Sequence, residues 1–367
     1  MDRRSFLKST GATAATAAAT AASTTTLAAP ALAGGVKHLK MVMSWPKGFP
    51  GLGTSAERFS ERFEKATDGR YKITLYGGGE LVSPLKCLDA VQQGTADLYH
   101  SVDYYYQGKS KGFNFFSGVP FGFRADEMDA WIHYGGGQKL WDELSGQFGV
   151  KPFLVGNTGA QMGGWFRKPV NTLEDFKGLK MRIPGLGGDV VKALGGTPVT
   201  LAGSEILPAL QAGTIDATEW IGPYNDLAFG LYKVAKNYYF PGFHEPGSSL
   251  SLGLSRAIWD KMSPADQTIF EACSVAENNF TLAEYNANNA LALETLINRH
   301  KVDVKEFSDD VFIGMAAAAK DVMAEAGASD PLTKKIYESY MGFRKIAISW
   351  SERSDQSYMR KRSLAWV

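Results

Sequence analysis

The chain carries the same short unit twice, Ala90-Val91-Gln92-Gln93-Gly94-Thr95-Ala96-Asp97 and Ala209-Leu210-Gln211-Ala212-Gly213-Thr214-Ile215-Asp216. In each copy a short amphipathic helix runs out at a glycine, which tolerates the left-handed conformation past a helix end, and an aspartate opens a strand. Two similar lobes account for both copies; the competing account is chance likeness between two ordinary helix-to-strand turns. Just past the units stand Tyr99, His100, Asp103 and Tyr104, and Glu219, Trp220 and Tyr224. Open α/β sheets bind ligands outside the carboxyl ends of their strands, so two such ends are predicted to face one another across a cleft.

Hydrophobic periodicity predicts strands at 39–44, 71–76, 96–102, 152–156, 163–166, 180–183, 197–200 and 217–220. Helices are predicted between them at 56–66, 85–93, 128–148, 190–194 and 206–211. This alternation defines an α/β protein. From Ser263-Pro264 the texture changes to helix alone: a long helix to His300, one from Ser308 through Met323, and a last amphipathic helix over 334–366. The last helix has a broad apolar face from Ile336 to Trp350, which fits equally packing on its own lobe and a partner subunit.

Arg3-Arg4-Ser5-Phe6-Leu7-Lys8, a weakly apolar Ala/Thr stretch and Ala31-Leu32-Ala33 resemble a twin-arginine export signal, with cleavage after Ala33 and a periplasmic destination. The Thr-rich stretch is too short and too polar to span a bilayer. The whole chain has a formal charge of +1, and the leader holds Arg3, Arg4 and Lys8 against Asp2. The remainder is therefore near neutral and offers no basic face for a nucleic acid. Hydrophobic residues at 44% and aromatics at 12% suit a large core. Cys87 and Cys273 lie in apolar, helix-like settings without metal-ligand spacing and are expected to be buried free thiols.

Enzyme signatures are absent: there is no GxSxG, HExxH or GxxxxGK[ST], and Gly185-Leu186-Gly187-Gly188 lacks dinucleotide-loop spacing. What remains is a binding constellation. Arg182 ends a strand-like run at Pro184-Gly185, where its guanidinium can grip a carboxylate through two parallel hydrogen bonds. Glu219-Trp220 ends another strand, and Glu245 follows the aromatic run 238–243. Two carboxylates near an arginine fit either an acid/base pair, as in an exported lyase or hydrolase, or a hard-cation site. Gln161 adds an amide that can ligate metal or substrate, and Asn157 lies in the same Gly-rich segment.

Residues 156–166, 179–183, 209–224 and 238–245, with Tyr104-Tyr105-Tyr106 and Gly78-Gly79-Glu80-Leu81, resemble the solute-binding subunits of tripartite ATP-independent periplasmic (TRAP) transporters of the DctP type, nearest to the 2-oxo acid (pyruvate) binders. The resemblance covers essentially the whole chain after the leader. It implies a two-lobed binding fold with hinges near Gly156 and between Phe243 and Ser255. The lobes would be residues 34–156 with a returning segment 245–262, and residues 157–244, followed by C-terminal helices over 263–367. It implies that Arg182 clamps a small carboxylate, that Gln161, Glu219, the Trp220 carbonyl and Glu245 hold a cation, and that Tyr104, Trp220 and Phe243 wall the pocket. The partners implied are a membrane permease and, through the last helix, a second copy of the chain. Family likeness points to Na⁺. Two glutamates and a substrate carboxylate against one arginine leave two negative charges, which favours Ca²⁺. Phe243-His244 replaces a tryptophan pair, and Asp103 replaces a small residue. From these departures a pocket wide enough for acids longer than pyruvate is expected, with His244 and Asp103 either on a solvated rim or meeting a distal hydroxyl or amine of the ligand.

Overall fold

The computed structural model describes residues 35–365, so the expected leader lies outside the described residues. Two sheets organise them. The first has the order β2-β1-β3-β10-β4, from Lys37–Met43 (β1), Tyr71–Tyr76 (β2), Leu98–Ser101 (β3), Val150–Asn157 (β4) and Ser249–Ser255 (β10). The second has the order β11-β9-β5-β8-β6-β7, from Gly164–Phe166 (β5), Lys180–Arg182 (β6), Thr197–Val199 (β7), Ala217–Thr218 (β8), Asn237–Phe240 (β9) and Asp303–Glu306 (β11). With helices around both sheets this is the expected two-lobed α/β fold.

The two octapeptides are the same structural device, one per sheet. β1 pairs parallel with β3, and β6 pairs parallel with β8. Gly94 and Gly213 end their helices at φ 75° and 71°. Asp97 then accepts from the Lys40 N–H at 2.7 Å, and its own N–H donates to Lys40 O at 2.9 Å. Asp216 repeats this on Lys180, at 3.1 and 2.7 Å. The aspartate thus starts its strand in register on the neighbouring parallel strand, and chance likeness does not account for the match.

The central strand β10 reads Ser-Leu-Ser-Leu-Gly-Leu-Ser and pairs antiparallel with both β3 and β4. Gly253 is required there, because a Cβ would stand 2.2 Å from the Tyr99 ring. The long helix Pro264–Asn298 begins at a Ser263 cap that accepts from the Asp266 N–H, and its 35 residues span about 50 Å. It serves both lobes: Glu284 accepts from Arg58 Nη1 and the Gly51 N–H on one side and from the Tyr224 hydroxyl on the other.

β9 and β10 are not among the predicted strands, and three further differences fall in segments read as helical. The helix predicted over 128–148 is two, Ala125–His133 and Gly137–Gly146, because Gly136 turns at φ 83° while Gly135 and Gly137 pack where a Cβ would strike Trp131. The last helix is also two, Pro331–Ser351 and Asp355–Arg362. Residues 303–306, expected within a purely helical region, form β11 on the edge of the second sheet. Cys87 and Cys273 are buried free thiols, as expected. No helix among the described residues is long and apolar enough to cross a membrane.

One buried carboxyl makes stability pH-dependent. Asp226 accepts from Trp165 Nε1 at 2.9 Å and the Tyr238 hydroxyl at 2.6 Å, and burial pushes its pKa up to about 7. Because the folded value exceeds the unfolded one, the folded state holds the extra proton. This contribution is fully present below about pH 4 and is lost as pH rises through about 7. Asp226→Asn, which cannot ionise, is expected to flatten the fall in stability between those limits; urea denaturation at pH 4.5, 6 and 7.5 checks it.

Candidate functional site

Two segments cross between the sheets, residues 158–163 from β4 to β5 and residues 241–248 from β9 to β10. They are tied together: the Gly242 N–H donates to Gln161 O and the Thr158 N–H to Ser248 O, both at 2.9 Å. One crossing segment carries Gln161, and the other carries His244 and Glu245. Arg182 ends β6 and Glu219 follows β8, and the parallel pairing of Arg182 with Thr218 sets them side by side. Opposite them Trp45 follows β1, while Tyr104 and Tyr105 lie in the single turn after β3. Each strand end therefore delivers a polar or aromatic side chain to the junction of the two sheets.

Arg182 is 1% exposed, and each of its three nitrogens donates within the protein while one Nη2 hydrogen is left over. Nε donates to Leu201 O at 3.2 Å, Nη2 to the Tyr105 hydroxyl at 3.2 Å, and Nη1 to Glu219 Oε1. Its guanidinium carbon stands 5.0 Å from the Trp220 ring centroid, a cation–π contact. Burial alone would lower its pKa, but the Glu219 carboxylate beside it reverses the direction and raises it. Glu245 accepts from Gln161 Nε2 at 2.9 Å, and Gln161 Nε2 also reaches Thr158 Oγ1. Burial, reinforced by the Glu219 charge, pushes the Glu245 carboxyl up to about 7. The His244 Nε2 lies 3.3 Å from Glu219 Oε2. Burial works against its protonation, yet the Glu219 and Glu245 carboxylates raise its pKa on balance.

Gln161, Tyr105 and Trp220, which touch these charged groups, line a cavity together with Trp45, Tyr104 and Leu250, with room on the order of one water molecule. The lining is polar where it has no protein partner: Gln161 Oε1, Trp45 Nε1 and Trp220 Nε1 are all buried without a hydrogen bond. Buried polar atoms in a native protein are normally satisfied, so three orphans around one cavity point to a polar ligand. The carboxylates of Glu219 and Glu245 and the His244 imidazole place ligand atoms within 4.8 Å of one another, a donor set that suits a metal ion.

Residues 41–330 match the DctP family, bacterial extracellular solute-binding protein, family 7. The chain belongs to the DctP family of TRAP solute-binding proteins. A monocarboxylate 2-oxoacid-binding periplasmic protein of Nostoc sp. is 40% identical over 98% of both chains. A TRAP transporter solute binding protein from Bordetella bronchiseptica, a mixed occupancy dimer with copurified calcium and picolinate in one active site and an apo second site, superposes with a TM-score of 0.88. It is 36% identical, over 90% of this chain and 98% of that one. A TRAP periplasmic solute binding protein from Pseudoalteromonas atlantica with bound sodium and pyruvate has a TM-score of 0.86 at 34% identity, over 89% and 99%. DctP members are transport proteins that capture solutes outside the cytoplasm, and the reading of this chain as an exported lyase or hydrolase gives way to that.

Of the residues singled out from the sequence, the fold brings Arg182, Gln161, Glu219, Trp220, Glu245 and Tyr104 together. Two stand elsewhere. Asn157 is occupied within the crossing, where Oδ1 accepts from the Gly159 N–H at 2.9 Å and Nδ2 faces Ser249 Oγ. Phe243 packs into the core against Phe121, with the His244 ring 5.5 Å from its own. Neither proposed rim residue is solvated. Asp103 is fully buried and accepts from Trp141 Nε1 at 2.6 Å, a structural anchor, and His244 is 1% exposed within the carboxylate cluster. His100 is also buried, with Nε2 on Ser55 Oγ, and burial takes its pKa down to about 3. Trp45 and Tyr105 went unmarked, although Trp45 follows a parallel strand by the same rule that exposed Glu219.

Proposed function

We propose that this protein captures a small 2-oxo or 2-hydroxy monocarboxylate together with a cation in the periplasm and delivers it to the membrane permease subunits of a TRAP transporter, without catalysing a reaction. The observation that carries this reading is the clustering of one buried arginine and two buried glutamates between the sheets, with Gln161 joining Glu245 to a small cavity whose lining holds three unpartnered polar atoms. Arg182 would hold the substrate carboxylate. Glu219, Glu245, the Gln161 amide oxygen and the Trp220 carbonyl would hold the cation, with Tyr104 and Trp220 as walls. The ion, Na⁺ or Ca²⁺, would offset the glutamate charge and take substrate oxygens; the charge balance favours the divalent ion. Residues 34–156 with 245–262 would form one lobe and residues 157–244 the other, closing about the two crossing segments. The twin-arginine leader would supply the export route.

A thermal-shift panel of small carboxylates, with and without Na⁺ and Ca²⁺, tests this, since a ligand at 100 times its Kd adds about 2.7 kcal/mol to the folded state. A 2-oxo monocarboxylate is expected to give the largest shift. No shift from any of them under either ion would overturn the assignment, and turnover of the acid would restore the enzyme reading.

We propose further that the last long helix forms a homodimer contact through its second half only. Ile336 and Tyr340 are fully buried on their own protomer, whereas Ile346 and Trp350 are 62% and 70% exposed beside a groove that includes Phe343. Removing the whole helix would strip core residues, so the informative variant is Ile346→Glu with Trp350→Glu. Light scattering is expected to show dimers for the parent and monomers for the variant; a monomeric parent at working concentration refutes the contact.

A further inference from the structure

Arg182, Glu219 and Glu245 are at most 2% exposed, and the cavity near them has room on the order of one water molecule. A solute enters or leaves such a site only when the two sheets part, so the contacts that bridge them outside the crossing segments set what parting costs. One bridge is the ion pair of Lys111 Nζ with Asp189 Oδ2 at 2.8 Å, whose side chains are 35% and 38% exposed. An ion pair so open to water contributes little. The buried bridge is Asn225.

Asn225 lies in the helix Pro223–Phe229, which follows β8 of the second sheet and opens directly after Glu219-Trp220-Ile221-Gly222. Its side chain is fully buried and bonded at both ends: Nδ2 donates to the Pro50 carbonyl at 2.8 Å, and Oδ1 accepts from the Tyr285 hydroxyl at 2.8 Å. Pro50 belongs to the segment that leads from β1 of the first sheet to the helix Gly53–Ala66. Tyr285, in the long helix, backs the same segment so closely that a Cβ on Gly51 would stand 2.5 Å from its ring. Phe49 meets Phe229 beside this amide, with ring centroids 4.6 Å apart, and Phe229 in turn lies 5.1 Å from the Trp220 ring of the pocket wall. A carbonyl requires a donor and a phenol hydroxyl an acceptor, and the primary amide supplies both.

We infer that Asn225 is a latch that holds the helix leading on from Trp220 against the 49–52 segment and thereby slows release of the bound solute. The inference rests on the reading of a solute site between the sheets, and it adds a residue that sets residence time through closure instead of through contact with the solute. Parting the sheets breaks both hydrogen bonds, and the helix carries the Trp220 wall away with it.

The test follows release of pyruvate and of 2-oxobutyrate from the full mature protein in saturating Ca²⁺, by stopped-flow tryptophan fluorescence. Two buried hydrogen bonds support a change of about tenfold, so Asn225→Ala is expected to raise both release rates about tenfold, by the same factor for each acid, without slowing association. Tyr285→Phe deletes only the hydroxyl that anchors Asn225 and is expected to raise release about threefold; it replaces the alanine variant if circular dichroism shows that one unfolded. Lys111→Ala is expected to leave release within about twofold of the parent. Unchanged release in the folded Asn225 variant, or a factor that differs between the two acids and so marks contact with the solute, overturns the latch while the solute site stands. If the parent binds neither acid, the solute-binding reading falls and the latch falls with it.

Discussion

Replacing Arg182 with alanine is expected to cost the folded protein about 3–5 kcal/mol and to abolish ligand binding. The stability loss follows from burial: Arg182 and Glu219 are each at most 1% exposed, so removing the guanidinium strands a carboxylate away from water. Tyr105 and the Leu201 carbonyl lose their donor at the same time. His244, already 3.3 Å from Glu219, would offset part of this and place the loss toward the lower end. Arg182→Lys separates charge from geometry. One ammonium restores a positive charge, but it cannot reach Leu201 O, Glu219 and Tyr105 together and still present a donor to a ligand. The lysine variant is expected to recover most of the stability and still bind the acid at least tenfold more weakly, about 1.4 kcal/mol or more. Chemical denaturation reads the first quantity and titration calorimetry the second. Unchanged affinity in Arg182→Lys would take Arg182 out of the site.

Much of this was legible because it is local. Gly94 and Gly213 announce a left-handed residue, and the aspartate three residues on announces a strand start, whatever else the chain does. The doubly wound rule then converts those starts into strand ends, which is how Glu219 and Trp220 stood out. What stayed hidden depends on long-range packing. Asp103 and Phe243 sit beside site residues in sequence, yet the turn after β3 sends Asp103 to Trp141, and the second crossing sends Phe243 to Phe121. Alternate residues of an extended segment face opposite ways, so the neighbour of a site residue is often in the core. His244 was misjudged for the converse reason: nothing local shows that two carboxylates 25 residues and one residue away converge on it. The break at Gly135-Gly136-Gly137 was readable, since three glycines oppose a continuous helix, but the apolar periodicity on either side outweighed it.

The second large effect expected is reciprocal coupling between cation and acid. Glu219 and Glu245 share one buried site, where burial and the Glu219 charge raise the Glu245 pKa against the opposing pull of His244 and Arg182, as expected for two negative charges held away from water. A carboxylate ligand entering alone would add a third negative charge to the same low-dielectric space. A cation on the glutamates removes that repulsion and offers the ligand oxygens a positive partner, and by linkage the ligand must tighten the cation to the same degree. Couplings of this kind amount to about 1–3 kcal/mol, or roughly 5–150-fold in affinity. Calorimetry of a 2-oxo acid after exhaustive chelation in Na⁺-free buffer, repeated with saturating Na⁺ or Ca²⁺, measures the factor directly. Glu219→Gln is expected to shrink it, because the amide keeps the shape of the side chain but lacks the charge that ties the ion to the site. Equal affinity under all conditions would separate the acid site from the metal, leaving Arg182 to bind the carboxylate without help.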